Sequence, residues 1–157
     1  FALLQYWGRK YNDALQTCDK MLEVEPNFSE ALRIKGNIYG AEKKWDSALY
    51  FFNRSAALRN QRAQAFSLIT LPQIGQKEEA RKLFANALER NAEITPPIVR
   101  ALFYYSIGET KNAMEWLDKA YETKFFYLAT LRVDPIWDPM RNEPEFQKLM
   151  KKMNFPQ

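Results

Sequence analysis

One small residue returns along this chain at nearly equal intervals, at Ala14, Ala48, Ala80 and Ala113. The intervals are 34, 32 and 33 residues. Four positions after each alanine stands a larger or softer apolar residue, in turn Cys18, Phe52, Phe84 and Leu117. Residues four apart share a helix face, so the alanine lets a neighbouring helix approach and the larger residue fills the groove beside it. A period of this length is typical of arrays whose units are single supersecondary elements.

The apolar residues also recur every three or four positions through most of the chain, which predicts amphipathic α-helices. Only five glycines are present, and the eight prolines fall mostly between the periodic segments. A second helix precedes each alanine-bearing one and is clearest over 29–41, where Leu32, Gly36 and Tyr39 share a face. We therefore expect an all-α fold in which each unit is a helical hairpin.

This register divides the chain into one domain of repeats and a tail. Thr95, Pro96 and Pro97 form a typical helix start and support one of the boundaries. The predicted units are a partial repeat over 1–28, repeats over 29–62, 63–94 and 95–124, and a tail with a capping helix over 125–157.

The second unit resembles the tetratricopeptide repeat. That family's pattern has a Gly and a Tyr in the first helix, an Ala and an aromatic residue in the second, and a closing Pro. The second unit matches it with Gly36, Tyr39, Ala48 and Phe52, while the closing Pro is present only as Pro26, at the end of the preceding unit. Leu32 stands where the family has Trp, and the third unit lacks the Gly and the Tyr. The resemblance implies a right-handed α-α superhelix, a solenoid of about three and a half hairpins plus a capping helix, with protein binding on its concave side.

The last third of the chain resembles the closing segment of bacterial tetratricopeptide arrays that follow kinase, cyclase or winged-helix regulator domains. The matching residues are the helix over 107–117 and then Val133, Asp134, Pro135, Trp137, Asp138 and Pro139. This resemblance implies a regulatory appendage of a larger bacterial protein. From the residues alone, Asp134 and Asp138 each precede a proline and are expected to form hydrogen bonds within turns.

The composition argues against catalysis and cofactors. The chain has no histidine and a single cysteine, Cys18, so zinc ligands and a neutral-pH base for a nucleophile are missing. The glycines are isolated and form no phosphate-binding loop. The longest uncharged stretch, 63–76, contains Pro72 and is too short to span a bilayer. We expect no enzyme activity, no cofactor, no metal and no membrane insertion, with Cys18 buried and unreactive.

The first helices of stacked hairpins line the concave side, so we place a peptide-binding groove there. Arg33 and Asn37 lie one turn apart on an exposed face of the second unit's first helix. A guanidinium and an amide can bind a peptide carboxylate and a backbone amide, and the pair resembles two positions of the carboxylate clamp in some tetratricopeptide domains. The predicted groove residues are Arg33, Asn37, Ala41, Ile69, Gln73, Leu102 and Tyr105.

Two other interpretations of this groove stay open. Arg33 and Asn37 could belong to a helix face that is merely solvated. The tail could also fold back and fill part of the groove through one of its aromatic residues, Phe125, Phe126, Tyr127 or Trp137.

We predict a non-catalytic scaffold or regulatory module that binds a protein or peptide. The net charge is +4, but the lysines are scattered among acidic residues, so nucleic acid is not the expected partner and RNA binding stays an alternative. Self-association is the other alternative, because the partial repeat over 1–28 presents apolar surface through which a homodimer could form. The chain starts at Phe1 with neither an initiator Met nor a signal peptide, so we expect a piece of a longer protein from which the N-terminal targeting information is absent. We expect it to be cytoplasmic.

Overall fold

A computed structural model describes residues 1–90 and 94–154 of the chain. All regular secondary structure in these ranges is helical, which confirms the predicted all-α fold. The α-helices are α1 (Ala2–Trp7), α2 (Tyr11–Val24), α3 (Ser29–Ala41), α4 (Trp45–Ala57), α5 (Gln61–Thr70), α6 (Lys77–Arg90), α7 (Pro97–Ser106), α8 (Thr110–Glu122) and α9 (Pro144–Lys152). Shorter 3₁₀ helices span Leu71–Ile74, Phe126–Thr130 and Pro135–Met140. Residues 91–93 of the predicted third repeat and 155–157 of the predicted tail lie outside the described residues.

Most helices that follow one another in the chain pack together. α1 packs on α2, α2 on α3, α3 on α4, α4 on α5 and α7 on α8. A second set of contacts joins alternate helices, since α3 contacts both α1 and α5, and α5 contacts α7. We call α1, α3, α5 and α7 the odd-helix row.

The recurring alanines lie where these helices meet. Ala14, Ala48, Ala80 and Ala113 are each 0% exposed. A Cβ atom built on Gly36 would overlap the ring of Phe52, so this ring packs directly on the backbone of α3 at Gly36. Alternating small and large residues therefore set the distance between neighbouring helices, as the sequence pattern predicts.

The turn inside each hairpin repeats at the level of the backbone. One residue in each of these turns has a positive φ: Arg9 (59°), Lys43 (58°), Gly75 (84°) and Gly108 (90°). Their spacing of 34, 32 and 33 residues equals that of the alanines. Two of these positions carry glycine, which adopts this conformation without steric cost.

The tail, residues 125–154, crosses the odd-helix row. Its 3₁₀ helix Pro135–Met140 contacts α3, and α9 contacts α8. Four tail side chains, Leu131, Trp137, Met140 and Phe146, are at most 1% exposed and share one apolar cluster with residues of α7 and α8. The tail is therefore part of the hydrophobic core.

Candidate functional site

The two polar residues at the centre of the predicted groove are covered. Arg33 is 0% exposed and Asn37 is 7% exposed, so the expectation that they lie on an exposed face is wrong. The physical reason is the tail, whose 3₁₀ helix Pro135–Met140 packs on α3. The Arg33 guanidinium donates from Nε to Glu30 Oε2 at 3.0 Å and from Nη2 to Glu30 Oε1, and it lies 5.9 Å from the ring centroid of Phe66.

Burial leaves two polar atoms of this pair unsatisfied. Arg33 Nη1 and Asn37 Oδ1 have no hydrogen-bond partner among the described residues. Each costs about 1–3 kcal/mol relative to a paired group. Burial of Leu131, Trp137 and Met140 in the tail opposes this cost, because each fully buried apolar side chain contributes roughly 1.5–3 kcal/mol. The two contributions are of similar size, and in this arrangement the tail covers Arg33 and Asn37.

The other predicted groove residues are scattered over different surroundings. Ala41 packs partly buried beside α2, Ile69 is half-buried between clusters, and Gln73 is exposed. The hydroxyl of Tyr105 lies 2.7 Å from the Pro139 carbonyl oxygen and 3.1 Å from Glu143 Oε1, so Tyr105 donates a hydrogen bond to the tail. Leu102 is the one member of the predicted set that lines the pocket described below.

Asp134 anchors the tail to α1. Its Oδ1 accepts hydrogen bonds from the Tyr6 hydroxyl and from the Ile136 amide, both at 3.0 Å, and its Oδ2 accepts one from Trp7 Nε1 at 3.2 Å. The Ile136 bond is the turn interaction that the sequence predicts. Burial raises the pKa of Asp134 above its ordinary value, although these hydrogen bonds act in the opposite direction. The burial of Tyr6 is the main cause that raises the pKa of its hydroxyl above the ordinary value, and the Asp134 charge is the second.

Asp138 forms a second link between the ends of the chain. Arg9 donates from Nη1 and Nη2 to its two carboxylate oxygens at 2.6 and 2.9 Å, and Arg141 Nε donates to Oδ1 at 2.7 Å. Burial raises the pKa of Asp138, but the hydrogen bonds from Arg9 and Arg141 outweigh it and hold that pKa below its ordinary value. Unlike Asp134, this carboxylate has two cationic partners.

An open pocket lies between α5, α7 and the tail, and we call it the tail pocket. Its volume is about 170 Å³. Its walls are mostly apolar and include residues from all three elements, among them Phe66, Ile98, Leu102, Phe125, Tyr127 and Trp137. The carboxylate residue Asp134 also lines it, and the exposed residues Gln61, Arg62 and Phe126 form its rim. A cavity of similar size in another protein admits a benzene molecule, so the tail pocket has room for one side chain.

The described residues include neither a metal-binding cluster nor a reactive thiol. Among residues 1–90 and 94–154, no group of three or more acidic or cysteine side chains is arranged to hold a metal. Cys18 is buried, as predicted, and burial raises its pKa to about 11, so the thiol carries little thiolate at neutral pH. None of the helices in the described ranges combines the length and apolarity needed to cross a bilayer.

No protein-family model, no curated protein and no solved structure matches this chain.

The tail pocket differs from the groove that the sequence predicts. Leu102, which the sequence places in the groove, does line it, together with Ala65 of α5 and Ile98 of α7. The tail residues Phe125, Phe126, Tyr127 and Trp137 also line it, although the sequence marks them only as possible groove fillers. Arg62 was missed, because one arginine at a helix start carries no pattern that distinguishes it from other surface charges.

Proposed function

We propose that this chain is a non-catalytic protein-interaction module of the tetratricopeptide type, in which the hairpins form a right-handed superhelix. Three observations support the proposal. The alanines recur in register and are all buried, the positive-φ turns recur at the same spacing, and alternate helices contact one another as the odd-helix row. In this proposal the tail occupies the inner side of the superhelix and shapes the binding site there.

The observation that carries the binding role is the tail pocket with its rim residue Phe126. The pocket is apolar, opens to solvent and has the volume of a single side chain. Phe126 is 71% exposed although it borders this apolar surface. Exposed aromatic residues beside a pocket are typical anchors of protein interfaces. We therefore place the ligand, a peptide segment with one inserted side chain, at the tail pocket rather than at Arg33 and Asn37.

The biological role that fits this site is that of a regulatory appendage. The resemblance of the closing segment to bacterial arrays attached to signalling and regulator domains supports it. In such an arrangement the module recruits a protein partner and performs no chemistry of its own.

Selection of peptides against the full chain tests the proposal. Peptides from a random phage-displayed library are selected on the immobilised protein, and their affinities are then measured in solution by fluorescence anisotropy. Phe126→Ala should weaken binding by about tenfold, which corresponds to about 1.4 kcal/mol. Tyr50→Ala is the matched control, because Tyr50 is a 56% exposed aromatic residue on α4 outside the pocket.

Two results would overturn the proposal. The first is a selection that enriches no binding peptide. The second is a set of selected peptides that bind Phe126→Ala as tightly as the unmodified protein.

A further inference from the structure

The walls of the tail pocket are rich in aromatic rings. Phe66, Phe125, Phe126, Tyr127 and Trp137 all line it. The Phe125 and Phe126 ring centroids are 5.3 Å apart with the planes tilted by 31°, and the Phe126 and Tyr127 rings meet nearly edge to face at 5.6 Å. Aromatic faces attract cations through the ring quadrupole, most strongly where water is excluded.

A buried carboxylate that forms no ion pair with the described residues lines the same pocket. Asp134 is 4% exposed and forms no ion pair with any residue in 1–90 or 94–154. Its hydrogen-bond donors, Tyr6, Trp7 and the Ile136 amide, are all neutral. A buried charge is costly unless it is paired. The structure thus contains a negative group that a positive partner would stabilise.

The carboxylate also keeps capacity for one more donor. An ionised carboxylate offers about four acceptor positions. Two donors bind Oδ1 of Asp134 and one binds Oδ2, which leaves one position on Oδ2. An ammonium group can donate a hydrogen bond at this position and also supply a positive charge.

Neither arginine near the pocket forms an ion pair with Asp134 among the described residues, although the Arg33 charge lies near enough to lower the pKa of that carboxyl. The Arg33 guanidinium is already paired with Glu30 through two hydrogen bonds. Arg62 points its guanidinium over the ring of Tyr127, 5.2 Å from the centroid, and is exposed to solvent. Arg62 thus shows that the aromatic lining accepts a cation at the rim, while the position beside Asp134 stays free of one among the described residues.

From this arrangement we infer that the tail pocket binds a cationic side chain of the partner peptide, a lysine or methylated lysine. Its ammonium group faces the Asp134 carboxylate, and its alkyl chain lies between the aromatic rings. This inference rests on the proposed function, because it names the side chain that enters the same site.

Small probes test the charge preference directly on the full chain. The probes are n-butylammonium chloride, its neutral isostere n-butanol and sodium butyrate, each titrated at constant ionic strength. The readout is the indole N–H resonance of Trp137, which lines the pocket, with that of Trp45 on α4 as an internal control. We expect n-butylammonium to shift the Trp137 resonance saturably and to bind at least about tenfold tighter than n-butanol, and butyrate to cause no shift.

Two variants assign the preference to the carboxylate and its surroundings. Asp134→Asn keeps an oxygen acceptor for Tyr6 and Ile136 but removes the charge, so the preference for n-butylammonium over n-butanol should disappear. Asp138→Asn is the matched control and should retain the preference, since that carboxylate is held by Arg9 and Arg141 outside the pocket. Arg62→Gln removes a competing cation from the rim and should tighten n-butylammonium binding several-fold, which gives a test even if Asp134→Asn does not fold.

The outcomes separate this inference from the proposed function. Equal affinity for n-butylammonium and n-butanol would overturn the cationic ligand but leave the pocket as the binding site. Retention of the preference by folded Asp134→Asn, or weaker ammonium binding by Arg62→Gln, would also overturn it. If no probe shifts Trp137, the inference fails, and the peptide selection with Phe126→Ala then decides the proposed function separately.

Discussion

The hydroxyl of Tyr6 donates a 3.0 Å hydrogen bond to Oδ1 of Asp134 across 128 residues of sequence. Tyr6 lies in the first helix and Asp134 in the tail, and both are buried. With the Trp7 bond to the same carboxylate, this contact ties the two ends of the described chain together. It also orients the carboxylate that lines the tail pocket.

Tyr6→Phe removes this bond without changing the shape of the ring. Hydrogen bonds to charged groups contribute about 1.5–3 kcal/mol, so we expect the free energy of unfolding to fall by about that amount. Urea denaturation followed by circular dichroism measures it. Tyr50→Phe, an exposed tyrosine, should leave the free energy of unfolding unchanged, and equal effects of the two substitutions would show that the Tyr6 bond contributes nothing.

Asp134 and Asp138 should affect stability with opposite dependence on pH. The folded-state pKa of Asp134 is raised above the ordinary value of about 3.9. The folded state therefore binds this proton more readily than the unfolded state. Protonation of Asp134 thus increases the free energy of unfolding, an effect that is fully present below the unfolded-state pKa and lost as pH rises through the folded-state pKa. Relative to Asp134→Asn, the unmodified protein should gain stability as pH falls from 7 toward 4.

The sign reverses for Asp138, whose folded-state pKa is lowered. Its stabilising contribution is present above the unfolded pKa of about 3.9 and disappears as pH falls through the folded pKa. The unmodified protein should have a higher free energy of unfolding than Asp138→Asn at neutral pH, and this difference should shrink between about pH 5 and about pH 2. Urea denaturation of the unmodified protein and both variants between pH 7 and pH 2 measures the two slopes, and parallel slopes would contradict the assigned shifts.

Gly36 and Gly40 provide a matched pair on one helix. A Cβ at Gly36 would overlap the Phe52 ring, whereas a Cβ at Gly40 would meet its nearest neighbours at 3.9 Å, an ordinary contact. Gly36→Ala should lower the free energy of unfolding by about 1–3 kcal/mol through overpacking. Gly40→Ala should raise it by up to about 1 kcal/mol, because alanine has the higher helix propensity. Thermal denaturation of the two variants should show melting temperatures that move in opposite directions.

The helices and their register could be predicted because both depend on local periodicity. Ala48 and Phe52 share a helix face whatever the rest of the chain does, and their burial follows from the packing of two adjacent helices. The covering of Arg33 and Asn37 could not be predicted in the same way. It depends on where the tail crosses α3, and that path is set by contacts such as Tyr6 with Asp134 between residues far apart in sequence.

The tail pocket was only partly predictable for the same reason. Leu102 lies on the first helix of its predicted hairpin, so its place in the wall of a groove can be inferred from the sequence. The opposite wall comes from Tyr127 and Trp137, whose position depends on the docking of the tail. For Asp134 the sequence predicts one set of contacts and not the other. Its hydrogen bond to the Ile136 amide is local and predictable, whereas its bonds to Tyr6 and Trp7 of α1 depend on the docking of the tail.

The recurring turns predict a last pair of effects. Lys43 has φ of 58° at the position where the two following hairpins carry Gly75 and Gly108. A side chain in the left-handed region costs about 1–2 kcal/mol, and glycine removes this strain. Glycine also makes the unfolded chain more flexible, which destabilises the folded protein by about 0.5–1 kcal/mol. Lys43→Gly should therefore leave the free energy of unfolding unchanged or raise it by up to about 1 kcal/mol. Lys20→Gly, at an exposed position inside α2, should lower it by about 1 kcal/mol. Urea denaturation compares the two glycine variants directly, and an equal loss in both would show that the turn does not hold Lys43 in the left-handed conformation.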